Sequence, residues 1–556
     1  MKRKTLFLLL ALATTLVLTD ACTKSDDVEP DPIEQVNEDP DDYTVDSTGA
    51  TQITLKTSTI AVGGPGAAAS GSKVTISKAG TYRITGTLTN GQIVVNTTDV
   101  ADVKLVFDGI TVTNTTGAPV NVEQAEKVII NLADGTKNTL TDGATYTLAS
   151  GTDEPNAALF SKADLTLYGG GALTIKANYN DGIASKDGLL IKSGTYTVSA
   201  KDDGIRGKDY LVVEDGTFTL EATGDGLKSD NEEDASRGYI TIKKGTFGIT
   251  TGGDGIQAQT QLTIADGTFT ITTGGGSGKT VASTASAKAL KSAKNLTVDG
   301  GTFAISAADD AVHANNAITI NGGTFALSTA DDAVHADNAL TINGGKIDVT
   351  KSYEGLESLV ITITDGTIHL VSSDDGLNAA GSTTGRFLNM KGGYLFINSG
   401  GDGVDVNGSA DMSGGTIIVN GPTANNNAAL DYDGTFKITG GTLIATGSSG
   451  MAQVPGTTST QNSVLVGFTS TQPAGTLVRI ESTDGKEALT FKPGKSFQSM
   501  AFSSPGLVKG TTYNVFLGGS ATGTVTDGLY ENPTYTAGTK NSSFTVASAV
   551  TKVNSR

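Results

Sequence analysis

From about residue 180 to residue 445 the chain alternates apolar and polar residues at every second position, in short runs such as NLTVDGGTFAIS, AITINGGTFALS and ALTINGGKIDVT. A period of two turns one side of an extended strand inward. Runs this short and this rich in Thr, Val, Ile and Gly make poor helices and good strands. Each run carries a glycine, then Thr, Lys or Tyr, then a large apolar residue, and so places Tyr196, Phe218, Phe247, Phe269, Phe303, Phe325, Ile347, Ile368, Leu395 and Ile417 at one register position, mostly 21 or 22 residues apart.

A second ladder keeps the same beat. The segments NDGIAS, DDGIRG, GDGLKS, GDGIQA, AKALKS, DDAVHA (twice), YEGLES, DDGLNA and GDGVDV align Asp181, Asp203, Asp225, Asp254, Lys288, Asp310, Asp332, Glu354, Asp375 and Asp402. Both ladders absorb their two main length changes in SDNEEDASR (Ser229 to Arg237) and GGGSGKTVASTASA (Gly274 to Ala287), as loops on a repeating scaffold do. The period predicts a β-solenoid of about 22 residues per coil, with three strands and their turns in each coil. At about 4.8 Å per coil, a dozen to fourteen coils make a rod of about 60 Å.

Within the acidic segments the apolar residues Ile183, Ile205, Leu227, Ile256, Leu290, Val312, Val334, Leu356, Leu377 and Val404 should point inward. The next residue in each should point outward: Ala184, Arg206, Lys228, Gln257, Lys291, His313, His335, Glu357, Asn378 and Asp405. This outward column runs from basic through imidazole to acidic.

The two ends differ from the middle. MKRKTLFLLLALATTLVLTDAC pairs Lys2, Arg3 and Lys4 with an apolar run ending before Cys22, the chain's single cysteine. Residues 1–21 therefore read as a signal peptide, and Cys22 as a lipidation site resembling the bacterial lipobox. Intramolecular disulfides are excluded. Residues 22–49 are acidic and proline-containing, which predicts a flexible tether. Its acidic run resembles the surface-export signal of Bacteroidetes lipoproteins, a resemblance that implies a cell-envelope, outer-membrane lipoprotein exposed at the surface. The solenoid is assigned to 50–449, with Ile53 to Gly91 beginning or capping it. Residues 450–556 lose the beat and alternate in hairpins broken by TDGK and KPGK, which predicts an antiparallel β-rich cap or small domain over the open end.

Charge narrows the partners. The chain carries 58 acidic and 39 basic residues, a net charge of -19, and no basic aromatic cluster, so nucleic acid is not an expected partner. Paired acids recur at coil spacing, and stacked carboxylates resist ionisation unless a cation or hydration compensates them. Calcium suits such oxygen donors. Its expected ligands are Asp202, Asp203, Asp309, Asp310, Asp331, Asp332, Asp374, Asp375 and Asp402, with Asn315 and Asp337 close to the two central pairs; Asn316, Asn338, Asn378 and Asp405 are further oxygen donors nearby. The alternative is a solvated stack of turns in which each Asp caps local backbone amides. His313 and His335, one coil apart, form either a stacked surface pair or half of a zinc site. GGGSGKT at 274–280 is a loop, since it lacks the strand-to-helix setting of a phosphate-binding loop.

The acidic coils, each followed by an LTI-x-GGTF-x-I run, resemble the bacterial carbohydrate-binding domain-containing family over roughly residues 50 to 450. The resemblance implies an all-β, right-handed parallel β-helix that contains calcium, binds cellulose or acidic polysaccharide, and shares its fold with a pectate lyase family. It places the family's turn acids on the Asp positions named above, whereas Lys288 departs from the pattern and interrupts the array. Three functions stay open. In the first, a monomeric rod binds polysaccharide without catalysis through many weak contacts, with Tyr179, Tyr210 and Tyr353 as sugar-stacking candidates. In the second, it is a calcium-dependent lyase using a base among Lys186, Arg206, Lys208 and Lys228. In the third, it is a structural adhesin.

Overall fold

The computed structural model describes residues 33–44 and 48–554. The expected signal peptide, Cys22 and the first part of the expected tether lie outside them. From residue 51 onward the described chain is strand and turn, and 47 of its strands join into one coiled sheet. It winds as a parallel β-helix of about 15 turns of about 24 residues. The mean exceeds 22 in part because the loops at 229–237 and 274–287 lengthen their coils, as does the 27-residue coil between Asp375 and Asp402.

A typical coil contains Thr302–Ala307, Val312–Ala314 and Ala317–Ile320. Each strand pairs in parallel with its counterpart one coil on, in the register Phe303↔Phe325, Val312↔Val334 and Ile318↔Leu340. The first strand alternates as the sequence requires: Thr302 is exposed, and Phe303 and Ile305 are buried. Parallel in-register pairing stacks like on like, so Tyr196, Phe218, Phe247, Phe269, Phe303 and Phe325 form one column with ring centroids 4.6–5.1 Å apart. The glycine two residues earlier is required by the same column. At Gly267, φ is +140° and an added Cβ would sit 2.8 Å from the Phe269 ring.

Both ends of the rod are covered. At the start, Thr51–Thr57 pairs antiparallel with Thr59–Gly63 and in parallel with Gly80–Leu88. At the other end, Thr442–Gly447 is met antiparallel by Phe497–Ser503, which also pairs with Ser463–Gln472. A separate six-stranded sheet follows, and its core is continuous with Ile418 and Ile444 of the last coils. Pairing the final coil in this way removes an open strand edge.

One expectation is corrected here. Residues 33–44, assigned to a free tether, are seated as a strap on the body. Asp42 is fully buried and 2.9 Å from Lys127 Nζ. Arg237 Nε lies 2.8 Å from Glu34, the Tyr239 hydroxyl donates to the Glu34 carbonyl (2.7 Å), and the Asn37 N–H donates to the Tyr210 hydroxyl (3.0 Å). The acids that suggested solvation are here paired with cations of the third strand stack.

Phe269 is 1% exposed and stacks on rings on both sides. Phe269→Ala should cost about 3–5 kcal/mol, read as a lowered denaturant midpoint. A loss below about 1 kcal/mol would mean that the column fills space without being well packed.

Candidate functional site

The repeat acids form an edge interrupted at Lys288, and most of them face two ways. One carboxylate oxygen accepts the backbone N–H at the equivalent position one coil further on. Asp203 donates to Asp181 (3.2 Å), Asp225 to Asp203 (2.8 Å), Asp254 to Asp225 (2.7 Å) and Lys288 to Asp254 (2.8 Å). The series continues with Asp332 to Asp310 (3.0 Å), Glu354 to Asp332 (3.1 Å) and Asp402 to Asp375 (2.6 Å). Asp181, Asp203, Asp254, Asp310 and Asp332 are 1–5% exposed. The side chains therefore do cap amides, but across coils and out of solvent, which corrects the picture of solvated local turns.

The other oxygen meets the outward column. Lys228 Nζ lies 3.1 Å from Asp203 and 2.9 Å from Asp225, and Lys291 Nζ lies 2.8 Å from Asp254. Lys288 Nζ sits 2.6 Å from both Asp309 and Asp310. His313 Nδ1 is 2.9 Å from Asp310. Burial works against ionisation of Asp310, but His313 and Lys288 hold its carboxyl down to about 2. Lys288, which interrupts the acidic pattern, is thus the internal counterion of the next coil.

Beyond His335 the outward column turns acidic and the compensation ends. Burial, then the charges of Glu357 and Asp332, push Glu354 up to about 8, although the Asn378 amide donates to both its oxygens (3.1 and 3.0 Å). Burial and the neighbouring Asp402 and Asp374 raise Asp375 to about 7. Burial with Asp402 and Asp431 raises Asp405 to about 6. Ligand oxygens of Asp375, Asp402 and Asp405 lie within 4.8 Å of one another, and every charge bearing on them is another acid.

The structure sorts the expected ligands. Asp202 and Asp203 converge with Asp181, and Asp309, Asp310 and Asp331 converge with one another, but Lys288 already occupies the last group. Asn315 and Asp337 do not join the central acid pairs: Asn315 Oδ1 faces His313 Nε2 (3.0 Å) and Asp337 faces His335 Nε2 (3.6 Å). Asp332 faces His335, and the Asp374 N–H donates to the Tyr353 carbonyl (3.0 Å). The sequence reading left Glu354 and Glu357 out of the site and counted Asp405 only as a nearby donor. The signal for Glu357 and Asp405 was the outward column itself, once its members are matched to the acids three residues earlier.

The tyrosines and bases are also resolved. Tyr210 is 3% exposed beneath the strap and offers no sugar platform. Tyr179 has one face covered by Tyr146, with ring centroids 4.1 Å apart. Tyr353 is 47% exposed. Among the four bases, Lys186 lies 2.9 Å from Glu154, Arg206 2.7 Å from Asp230, and Lys228 bridges two acids as above. Lys208 is held most loosely, 3.9 Å from Glu233.

These shifts set a pH dependence. The folded pKa values of Glu354, Asp375 and Asp405 lie above their unfolded values, so the folded state binds more protons between about pH 4 and about pH 8 and loses stability as pH rises through that window. Chelator-treated protein should melt lower at about pH 8 than at about pH 5. The double substitution Glu354→Gln with Asp405→Asn should flatten that slope, and an unchanged slope would mean that these carboxyls ionise freely.

A family model described as "Carbohydrate-binding domain-containing protein" matches residues 70–333, 314–355 and 333–490. A curated protein of that name from Acetivibrio thermocellus is 43% identical over 129 residues, which are 23% of this chain and 45% of the relative, so the match spans under half of that relative's length. A solved polysaccharide lyase-like protein from C. thermocellum, a gadolinium derivative, is 27% identical over 53% of this chain and 96% of its own, with a TM-score of 0.39. With its repeat coils and the start of the C-terminal region matched by the family model, the chain belongs to the carbohydrate-binding domain-containing family.

Proposed function

We propose that this protein is a cell-surface lipoprotein that binds polysaccharide along a calcium-stabilised edge of its β-helix and does not cleave it. The observation that carries this reading is Tyr353. Its ring is exposed, its carbonyl accepts the Asp374 N–H (3.0 Å), and the charges of Asp374, Glu354 and Asp375 bear on its hydroxyl and push it up to about 12, which sets it next to Asp375 of the uncompensated group. An aromatic face next to a cation site is the minimum needed to stack a sugar and bridge its acidic groups.

The donor set fits calcium. Three carboxylates converge, and on the adjoining register position Asn378 Oδ1 is buried with no hydrogen-bond partner. Calcium, when bound there, would neutralise the stacked acids and offer open coordination positions to uronate carboxylates. What this chain itself supplies is a fixed row of oxygens, held by the cross-coil amide bonds, and a tyrosine platform. Catalysis would need a free base, and the ion pairs of Lys186, Arg206 and Lys228 argue against one. Lys208, the loosest of the four, keeps the lyase reading testable.

Calcium should raise the melting temperature at about pH 8 and do so less in Asp402→Asn. Incubation with polygalacturonate and with cellulose at several calcium concentrations should retain the protein without ultraviolet absorbance from unsaturated product. Tyr353→Ala should weaken retention by about tenfold, the equivalent of one stacking contact worth about 1.4 kcal/mol. Product formation abolished by Lys208→Ala would establish a lyase, and neither retention nor product would leave a structural adhesin.

Anchoring is tested separately. Cys22→Ala should abolish palmitate labelling and move the protein from the membrane fraction to the soluble one. Labelling that persists would refute lipidation at Cys22, since the sequence has no other cysteine.

A further inference from the structure

His313 and His335 have the same local sequence, DDAVHA, yet their surroundings differ in what stands one coil further on. His313 is followed in register by His335, and His335 by Glu357. His313 is satisfied at hydrogen-bond distances, with Nδ1 2.9 Å from Asp310 and Nε2 3.0 Å from Asn315. His335 is not. Its Nδ1 stands 3.4 Å from Asp332 Oδ2 and 3.4 Å from Glu357 Oε2, with Asp310 at 4.0 Å.

Charge-assisted N–H···O bonds close to about 2.7–2.9 Å, so these two contacts are long for hydrogen bonds. They match another geometry. A tetrahedral ion with ligands at about 2.0–2.2 Å holds them about 3.3–3.6 Å apart along each edge. The ligand atoms of Asp332, His335 and Glu357 all lie within 4.8 Å of one another. Asp332 is fixed by accepting the Glu354 N–H (3.1 Å) through its other oxygen, so the face of the group is set by the backbone. A separate feature points the same way. A cavity of about 330 Å³ opens beside the group, lined by His335 and Glu357 together with Asp337, Asn338, Ser382 and Thr383. It leaves room for a water or a small oxygen ligand at a fourth position.

We propose that Asp332, His335 and Glu357 bind a first-row divalent ion of the zinc type, with its fourth position open to this cavity. The imidazole nitrogen separates this site from the oxygen-only group at Asp375, Asp402 and Asp405, because zinc accepts nitrogen and carboxylate ligands together whereas calcium takes oxygen. His313 and Asp310 form an outer pair: Asp310 is taken by Lys288 and His313. The proposal does not depend on the polysaccharide reading.

The test is calorimetric titration of the untagged, chelator-stripped protein with zinc chloride in a large excess of calcium, with X-ray absorption at the zinc edge on the loaded protein. One zinc per chain is expected, with a single imidazole among light-atom ligands. His335→Gln and Glu357→Gln should each weaken binding on the order of 100-fold, and His313→Gln by no more than about tenfold. Two ligand substitutions are used so that a folding defect in one, checked by circular dichroism, leaves the other informative. Absence of zinc binding in excess calcium, binding that survives both ligand substitutions, or two imidazoles at the metal with His313→Gln as the damaging change would each overturn the assignment.

Discussion

The structure depends on what neutralises a column of carboxylates repeated at every coil. Two unit charges about 5 Å apart repel by about 3 kcal/mol at an effective dielectric near 20, and here the column extends from Asp181 to Asp402 with most members buried. In a parallel β-helix in-register pairing sets each residue on its counterpart, so an acid kept at one position of the repeat is stacked on itself. The same rule that stacks Phe218 on Phe247 stacks Asp203 near Asp225. The aromatic column gains from it, whereas the acidic one must be compensated at every step.

Compensation comes from two directions. The backbone amide of the next coil takes one oxygen of nearly every acid, which ties the turn of one coil to that of its neighbour and makes the acid a structural residue. The second oxygen is left to the outward column, and there the rod divides. From Asp181 to Asp310 the cations are covalent parts of the chain: Arg206, Lys228, Lys288 and Lys291. Past Glu354 the chain supplies Glu357, Asn378 and Asp405, and the charge balance must come from protons or from solution. The first part of the edge is therefore self-contained, while the second keeps carboxylates that no cation of the chain meets. Tyr353 is exposed beside the second part.

Much of this was legible in the sequence. Period, strand alternation, the inward aromatic column and the polarity gradient of the outward column all follow from spacing alone, because a solenoid maps one residue per coil onto each position. Pairings between coils were not legible. Lys288 looked like an interruption because its partners Asp309 and Asp310 lie 21 and 22 residues away, and only the register shows the ammonium lying between them. Asn315 and Asp337 were close in sequence to the acid pairs, yet each lies across an imidazole from them. Tyr210 was misread for another reason. The strap that buries it comes from residues 33–44, whose acidity reads as solvation until Lys127, Lys192 and Arg237 are seen to receive it.

The strap and the C-terminal region also confine where function can sit. The strap covers the third strand stack at Tyr210 and Tyr239, and its acids take up cations that would otherwise be exposed there. At the other end, Asp527 reaches back to His369 (2.9 Å) and to the Tyr394 hydroxyl (2.7 Å), fixing the C-terminal sheet against the first strand stack of the late coils. Two of the three faces are thus partly occupied by the chain's own ends. On the acidic edge His335, Glu357 and Asp405 of the outward column stay half-buried and Asn378 is buried, and along this column the residues change from lysine to histidine to amide and carboxylate while the backbone stays constant. A rigid scaffold with one variable column changes the chemistry of a single edge from coil to coil without any distortion of the helix that carries it.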